Sequence, residues 1–522
     1  MSTAAKALGV AYQHEESVES SLAILLQFNE DLPRSLGDDK LRTDIDRMNL
    51  ILKSTSDEMI CNMHTNNDKK MTTLINLYAN LAHVVHYFKP WLVGSVSLRM
   101  VAVTIKSGLS AKSPLAFAHF GGVLSSIGYV NEGCRLGELI KSWICICGCV
   151  SHLFLTRTFC NTPLTTGKLA LQLVEKKGSI QYKSSVVCFV YNTILWATEP
   201  LQLIVEAHLL GHKAGQQTGD IVFALHNLIL AILTDYVAGQ NLAVVRNNIM
   251  DFCSVLRRHG LKIFFKNSVL LLSQISVLSN GLDAAHVDNM PSEAEILADK
   301  TSGPSISVYG KIHYLSRAFL FLQIYDASVH ADISGAVTES NHQLNPHFLF
   351  GYLFEGLVSF LLARKTGSSE SAKWIERGQS VLAKMRCWSE HSLWNWENKM
   401  LLLEAESAFT DGDLDRADNL YESAVRSAHD HKFIHEEAIA SELAGNFHLK
   451  RGLRQKSYSY LVHSAACYDR WGAHAVARRL ENFIRIDFHH DIGQLDSNLD
   501  RSLLDDIFAS SRENEKKRPG QD

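Results

Sequence analysis

Residues 398–481 hold one helix–turn–helix pattern twice, as GDLDRADNLYESA at 412–424 and as GLRQKSYSYLVHS at 452–464. In each copy a glycine is followed by a small residue at the fifth position, a large residue at the ninth and a small residue at the twelfth. The glycine supplies the turn, and the small residues let two antiparallel helices approach closely around the large one. The pattern predicts an all-α fold, a tetratricopeptide-like, right-handed superhelical array of antiparallel helix pairs, with a period longer than the usual ~34 residues.

The composition is that of an ordinary folded protein. Of the 522 residues, 46% are hydrophobic and 20% are charged, and the formal net charge is −4. A chain of this length exceeds what one compact core holds, so we expect several domains or one extended array. The near-neutral charge argues against nucleic acid or an anionic membrane as the partner of the whole chain.

Targeting signals are not evident. Residues 1–12 lack a basic segment followed by an apolar run, and the longest nearly apolar run, 143–155, is too short to span a bilayer. The sequence therefore predicts a cytoplasmic protein without a membrane span. In that compartment the 10 cysteines are expected to be reduced thiols.

Helical patterning divides the chain into five parts. We expect residues 1–19 to be disordered, 20–279 to form the N-terminal half of the array, and the polar stretch 280–305 to be a loop or linker. Residues 306–490 are expected to form the C-terminal half, which contains the helix pairs quoted above. Residues 491–522 read as a polar tail.

Within the two halves, the spacing of apolar residues and the intervening turn residues predict helix boundaries. Breaks are expected at Pro200, Gly219 and Gly239. The resulting helices include 201–214, 220–236, 241–259, 261–278 and 346–364.

Residues 138–167 interrupt the pattern and are predicted to be an insertion. Without them, an imperfect copy of the repeat that starts at Gly128 becomes regular, with Ala170 at its twelfth position. Sequencing the mature transcript across this segment tests the expectation. The segment has four cysteines, whose spacing differs from the paired cysteines of a zinc site, so no metal site is predicted there. They are Cys145, Cys147, Cys149 and Cys160.

A further set of residues matches a known family. The most specific matches are Glu436, Glu437, Ala438, Glu442, Leu443, Ala444, Phe447, Gly452, Tyr468, Arg470, Trp471, Gly472, Ala473, Leu480 and Glu481. Weaker matches lie at 32–34, 106–121 and 388–406, so that the similarity covers roughly residues 20–490. These residues resemble the helical-repeat region of hybrid signalling proteins, in which a serine/threonine kinase-like domain and an AAA-type ATPase precede the repeats, and a GAF domain and a histidine kinase follow them.

The resemblance implies an array that works in two-component signal transduction, but it does not extend to the catalytic parts. A phosphate-binding loop requires Gly-x-x-x-x-Gly-Lys-Ser/Thr, in which the hydroxyl holds magnesium. The Gly-Lys pairs at 167–168 and 310–311 are instead followed by Leu169 and Ile312. No GAF or histidine kinase motif occurs within residues 491–522. The resemblance therefore implies the fold and not the kinase activity.

No residue is predicted to be catalytic, to bind a cofactor or to hold a metal. His489 and His490 lie between two aspartates and could ligate a metal, but histidines near the negative end of a helix are the favoured interpretation. His429 and His431 are expected in a turn between helices. No His-Glu-x-x-His helix or Gly-x-Ser-x-Gly elbow occurs.

Four tryptophans have two interpretations. Trp388, Trp394 and Trp396 could anchor a partner, although packing between helices is the favoured interpretation. Trp471 is expected to plug the end of the array, because terminal repeats need a cap.

The sequence therefore predicts a non-enzymatic scaffold that binds a protein or peptide in a superhelical groove, without a cofactor and without nucleic acid. The first alternative is a fragment of a hybrid sensor histidine kinase, in which the array couples ATPase and sensor domains. The second is the repeat domain of an ATP-dependent transcription regulator, which would need a basic DNA-binding module that is not visible. The pattern sets no oligomeric state.

Overall fold

The computed structural model describes residues 14–30, 39–55, 69–88, 92–110, 199–259, 262–285, 289–299, 304–322, 346–389 and 392–489, together with scattered residues between these ranges. The described elements are helical, and no strand occurs among them. The α-helices are α1 (His14–Gln27), α2 (Asp39–Ser54), α3 (Lys69–Phe88), α4 (Val93–Ser107), α5 (Leu201–Thr218), α6 (Ile221–Val237), α7 (Leu242–His259), α8 (Lys262–Asn280), α9 (Glu293–Ala298), α10 (Pro304–Leu320), α11 (Pro346–Ala363), α12 (Ser368–Ser389), α13 (Leu393–Asp411), α14 (Leu414–Asp430), α15 (Ile434–Lys450), α16 (Arg454–Trp471) and α17 (His474–Asp487).

The predicted helix pairs are confirmed in the C-terminal part. α13 packs on α14 and α15 packs on α16, with Gly412 and Gly452 in the connecting turns at φ 82° and 75°. The residues at the fifth, ninth and twelfth positions of both copies are buried: Ala417, Tyr421, Ala424, Ser457, Leu461 and Ser464. The large residue fills the gap as expected, since a Cβ on Gly445 of α15 would lie 2.7 Å from the side chain of Leu461. The small and large residues of the sequence pattern thus correspond to close contacts between helices in the structure.

The two buried cores divide the chain differently from the predicted halves. α1–α4 share one hydrophobic core, and a second core runs from Leu201 to Phe488. The stretch 280–305, expected as a loop or linker, contains α9, whose first turn is fixed by a capping box between Ser292 and Glu295. Ile296 of α9 is buried in the second core. Likewise, α1 begins at His14, inside the stretch expected to be disordered.

The C-terminal pairs pack back onto earlier helices through polar bridges. The Asn395 side chain accepts from the backbone N–H of Leu201 at 3.1 Å and donates to the Glu199 carbonyl at 2.7 Å. The side chain of Asn241, before α7, donates to the Arg470 carbonyl at 2.9 Å. These bridges satisfy backbone groups at helix ends, which otherwise have no partner. They tie α5 and α7 to the repeat pairs.

A buried polar cluster lies between α5 and α6. The Asn227 amide donates to the carbonyls of Ser184 and Phe223, so its oxygen is left to accept a hydrogen bond from His208 Nδ1 at 2.9 Å. Burial lowers the pKa of His208 to about 4. Gly211 permits this close approach, because a Cβ there would lie 2.8 Å from the Asn227 side chain. The imidazole is therefore a neutral, structural donor.

Tryptophans of the C-terminal part are packed between helices, as the favoured interpretation predicted. Trp388 and Trp396 are buried, with ring centroids 5.4 Å apart, and the Trp394 indole N–H donates to Gln202 at 3.1 Å. Trp471 is also buried, but it does not plug the end of an array. Its ring lies 6.3 Å from that of Tyr236 on α6, so it joins the repeat pairs to the earlier helices. None of the described helices combines the length and apolar character that a membrane span requires.

Candidate metal centre

Three helices bring four ligand-type side chains together at one seam. His429 lies in the last turn of α14, and Glu437 lies in the first turn of α15. His463 and Cys467 are four residues apart on α16, so they share one face of that helix. Because α15 and α16 are antiparallel partners, the beginning of α15 faces the C-terminal half of α16.

The ligand-type atoms converge on a small volume. His463 Nε2 lies 2.7 Å from Glu437 Oε1, and Cys467 Sγ lies 3.4 Å from the same nitrogen and 3.6 Å from the same oxygen. His429 Nδ1 lies 3.3 Å from both oxygens of the Glu437 carboxylate. Glu437, His463 and Cys467 form the one group of this kind among the described residues, with ligand atoms all within 4.8 Å of one another.

Burial and hydrogen bonding set the charge states at the seam. Burial alone would raise the pKa of Glu437, but hydrogen bonds from His429 and His463 hold it at about 2. The hydrogen bond to Glu437 raises the pKa of His429. Burial raises the pKa of the Cys467 thiol to about 12, so a metal-free seam contains a thiol and a carboxylate. Such a thiol is a poor nucleophile, because thiolate is the reactive form.

The arrangement does not suit a nucleophilic triad. A Cys–His–acid triad uses both ring nitrogens, one toward the nucleophile and one toward the acid. Here Cys467 and Glu437 both contact the same ring nitrogen of His463, Nε2. Convergence of three ligand atoms, with no relay through the ring, is the geometry of a metal-binding site.

A second buried polar cluster next to the seam holds α13 against α15. Lys399 Nζ lies 2.8 Å from Glu436 Oε2, donates to the Asn395 carbonyl at 2.7 Å, and sits 4.1 Å from the ring centroid of Phe433. Asn398 donates to the same carboxylate. Burial lowers the pKa of Lys399 and raises that of Glu436, against their mutual attraction. This fully buried pair is structural, since the Lys399 ammonium and Glu436 Oε2 bond to each other and to Asn395 and Asn398, while Glu436 Oε1 has no hydrogen-bond partner among the described residues.

The residues that the sequence analysis considered as metal ligands lie in different places in the structure. His489 Nδ1 contacts the Ile486 carbonyl at 3.1 Å just after α17, while His490 and the segment 138–167 with its cysteines lie outside the described residues. His431 packs against Trp394, with centroids 4.9 Å apart. His429 alone joins the seam. Sequence reasoning missed its partners; the His-x-x-x-Cys spacing on α16 was the available signal.

No protein-family model matches the chain, and no curated protein matches it. The resemblance to hybrid kinase–ATPase proteins therefore stays an expectation from the residues quoted from the sequence.

Proposed function

We propose that the chain is a non-enzymatic scaffold, whose helix pairs continue as a right-handed superhelical array and bind an amphipathic helix of a protein partner. A groove between α16 and α17 is the observation that carries the proposal. Its floor is formed by Val462, Ala465, Ala466 and Ile484, and its volume is about 460 Å³. Small floor residues leave room for the large apolar side chains of an incoming helix.

The repeat itself indicates what fits there. α13 and α15 are the first helices of two pairs, and α17 takes the place of the first helix of a third pair. One step earlier, the groove between α14 and α15 is covered by α16, which reaches α14 through the ion pair of Lys456 with Asp418 at 2.6 Å. Among the described residues, the equivalent groove beside α17 is lined by residues of α16 and α17 alone, although α8 also packs on α17. A helix in that position would continue the array.

The rim of the groove sets the chemistry of the partner. Asp469 and Glu481 line it together with Arg485. We expect a helix with one apolar face, flanked by a basic residue opposite the two carboxylates and an acidic residue opposite Arg485. The family resemblance places such a partner in signal transduction, either as a separate protein or as part of a hybrid sensor histidine kinase. The role in an ATP-dependent transcription regulator remains the second alternative.

Site-specific photo-crosslinking tests the proposal. The photoreactive residue p-benzoylphenylalanine replaces Ala466 in the groove or, as a control, Asn419, which is exposed on α14. After irradiation in the native host, the crosslinked peptide is identified, synthesised and titrated against A466E and N419E proteins. The proposal expects one helical peptide that crosslinks at position 466 only and loses at least about tenfold in affinity with A466E alone.

Three outcomes would contradict the proposal. The first is a crosslink from position 466 to residues 491–522 of the same chain, which would mean that the groove is filled internally. The second is equal crosslinking at the two positions, and the third is equal binding of the peptide to the two variants.

A further inference from the structure

The seam between α14, α15 and α16 carries an inference that does not depend on the partner-binding groove. We propose that Glu437, His463 and Cys467 bind a Zn²⁺ ion. His429 lies outside this group of three and hydrogen-bonds the Glu437 carboxylate, which it orients. Nothing in the sequence patterns or in the family resemblance assigns such a site. Its ligands come from α15 and α16, so the ion would join the two helices of one pair.

The distances fit tetrahedral zinc. With ligand bonds of about 2.0–2.3 Å, the edges of a zinc tetrahedron are about 3.4–3.6 Å long. The Cys467 Sγ to His463 Nε2 distance is 3.4 Å, and the Cys467 Sγ to Glu437 Oε1 distance is 3.6 Å. Only the 2.7 Å hydrogen bond between His463 and Glu437 is shorter. It would lengthen by roughly 0.7 Å when the ion replaces its proton.

The ligand set also fits zinc in charge and softness. One thiolate and one carboxylate neutralise a divalent ion, and the His463 imidazole is a third ligand that adds no charge. Cys467 and Glu437 are buried, with the thiol fully shielded from solvent. Thiolate and imidazole together favour zinc over magnesium or calcium, which prefer oxygen ligands.

One cation already faces the seam, and its placement is compatible with the ion. The Arg470 guanidinium donates to Cys467 Sγ at 3.0 Å from an exposed position. A hydrogen bond from the outer side stabilises a metal-bound thiolate, as donors around zinc centres do. Arg470 thus acts as a positioning residue for the sulfur.

The proposed zinc site would hold α16 on the side of this helix that faces away from the groove. His463 and Cys467 point into the seam, whereas Val462, Ala465 and Ala466 of the same helix line the groove toward α17. Zinc would therefore hold the groove-bearing helix α16 against α15.

The experiment uses the untagged full-length chain, so that no added histidines bind metal. Zinc content is measured after dialysis, and Co²⁺ is then titrated into the metal-free protein while absorption is recorded. The variants are C467A and the nearly isosteric E437Q, with C253A as the matched control, because Cys253 is another buried free cysteine. Helix content by circular dichroism confirms that each variant is folded.

The proposal expects one zinc per chain in the wild type and in C253A. It also expects tetrahedral cobalt bands in the visible spectrum, together with a thiolate-to-cobalt charge-transfer band. C467A should lose the charge-transfer band, and E437Q should keep the band while its affinity falls by at least about tenfold. A wild-type chain that gives no thiolate-to-cobalt band overturns the proposal, and so does a band that survives in C467A or disappears in C253A.

Discussion

Substitution of one partner of the buried Lys399–Glu436 pair should lower the free energy of unfolding far more than substitution of both partners. K399M leaves the Glu436 carboxylate buried with Asn398 as its main donor, at a cost of about 3–5 kcal/mol of unfolding free energy. E436Q leaves the Lys399 ammonium buried against the Asn395 carbonyl, at a similar cost. In K399M/E436Q no charge remains, so we expect stability within about 1 kcal/mol of wild type, or higher.

The double-mutant cycle gives the coupling directly. The single losses sum to roughly 6–10 kcal/mol, so the double variant implies a coupling energy of at least about 5 kcal/mol, above the range of ordinary neighbours. Urea unfolding followed by tryptophan fluorescence suits the site, because Lys399 Nζ lies 5.6 Å from the Trp396 ring centroid. If K399M and E436Q are each mild and their effects add, the pair is not a buried ion pair and the reasoning fails.

Three further predictions follow from the helix packing and the buried histidine. Lys432 has a left-handed backbone conformation (φ 65°), which glycines such as Gly412 adopt in the other turns. K432G should therefore raise the free energy of unfolding by about 1 kcal/mol, measured by urea unfolding. A destabilised variant would contradict this. L461A should cost about 2–5 kcal/mol because Leu461 is fully buried, whereas L453A at an exposed position should cost under ~0.5 kcal/mol; equal losses would refute the packing argument. The pKa of His208 is about 4 in the folded protein, below its unfolded value near 6.5. Its neutral form therefore stabilises the fold above pH 6.5. As the pH falls toward 4, up to about 3 kcal/mol of this stability is lost. H208Q should flatten that part of the stability–pH curve, and an unchanged slope would contradict the role of His208.

The repeat pairs were predictable because their signal is local. Glycine at the turn and alternating small and large residues act within one helix pair, so the burial of Tyr421 and Leu461 could be expected from the sequence. Helix boundaries were also close: 346–364 was predicted and α11 spans Pro346–Ala363. Turn chemistry and apolar spacing are sufficient for such features.

The arrangement of the cores and the metal centre depends on contacts between residues distant in sequence. Asn395 reaches Leu201 across the chain, and Trp471 reaches Tyr236, and neither contact has a local pattern. The seam requires the relative register of α15 and α16, which brings Glu437 opposite His463. A single sequence does not fix that register, so the sequence analysis could not group Glu437, His463 and Cys467 as candidate ligands.

X-ray absorption at the zinc edge, on untagged protein, tests the proposed centre most directly. A zinc ion held by Glu437, His463 and Cys467 predicts one sulfur neighbour at about 2.3 Å and two or three nitrogen or oxygen neighbours at about 2.0–2.2 Å. The same spectrum of C253A should be unchanged. Protein without zinc, or zinc surrounded only by nitrogen and oxygen, would contradict the centre.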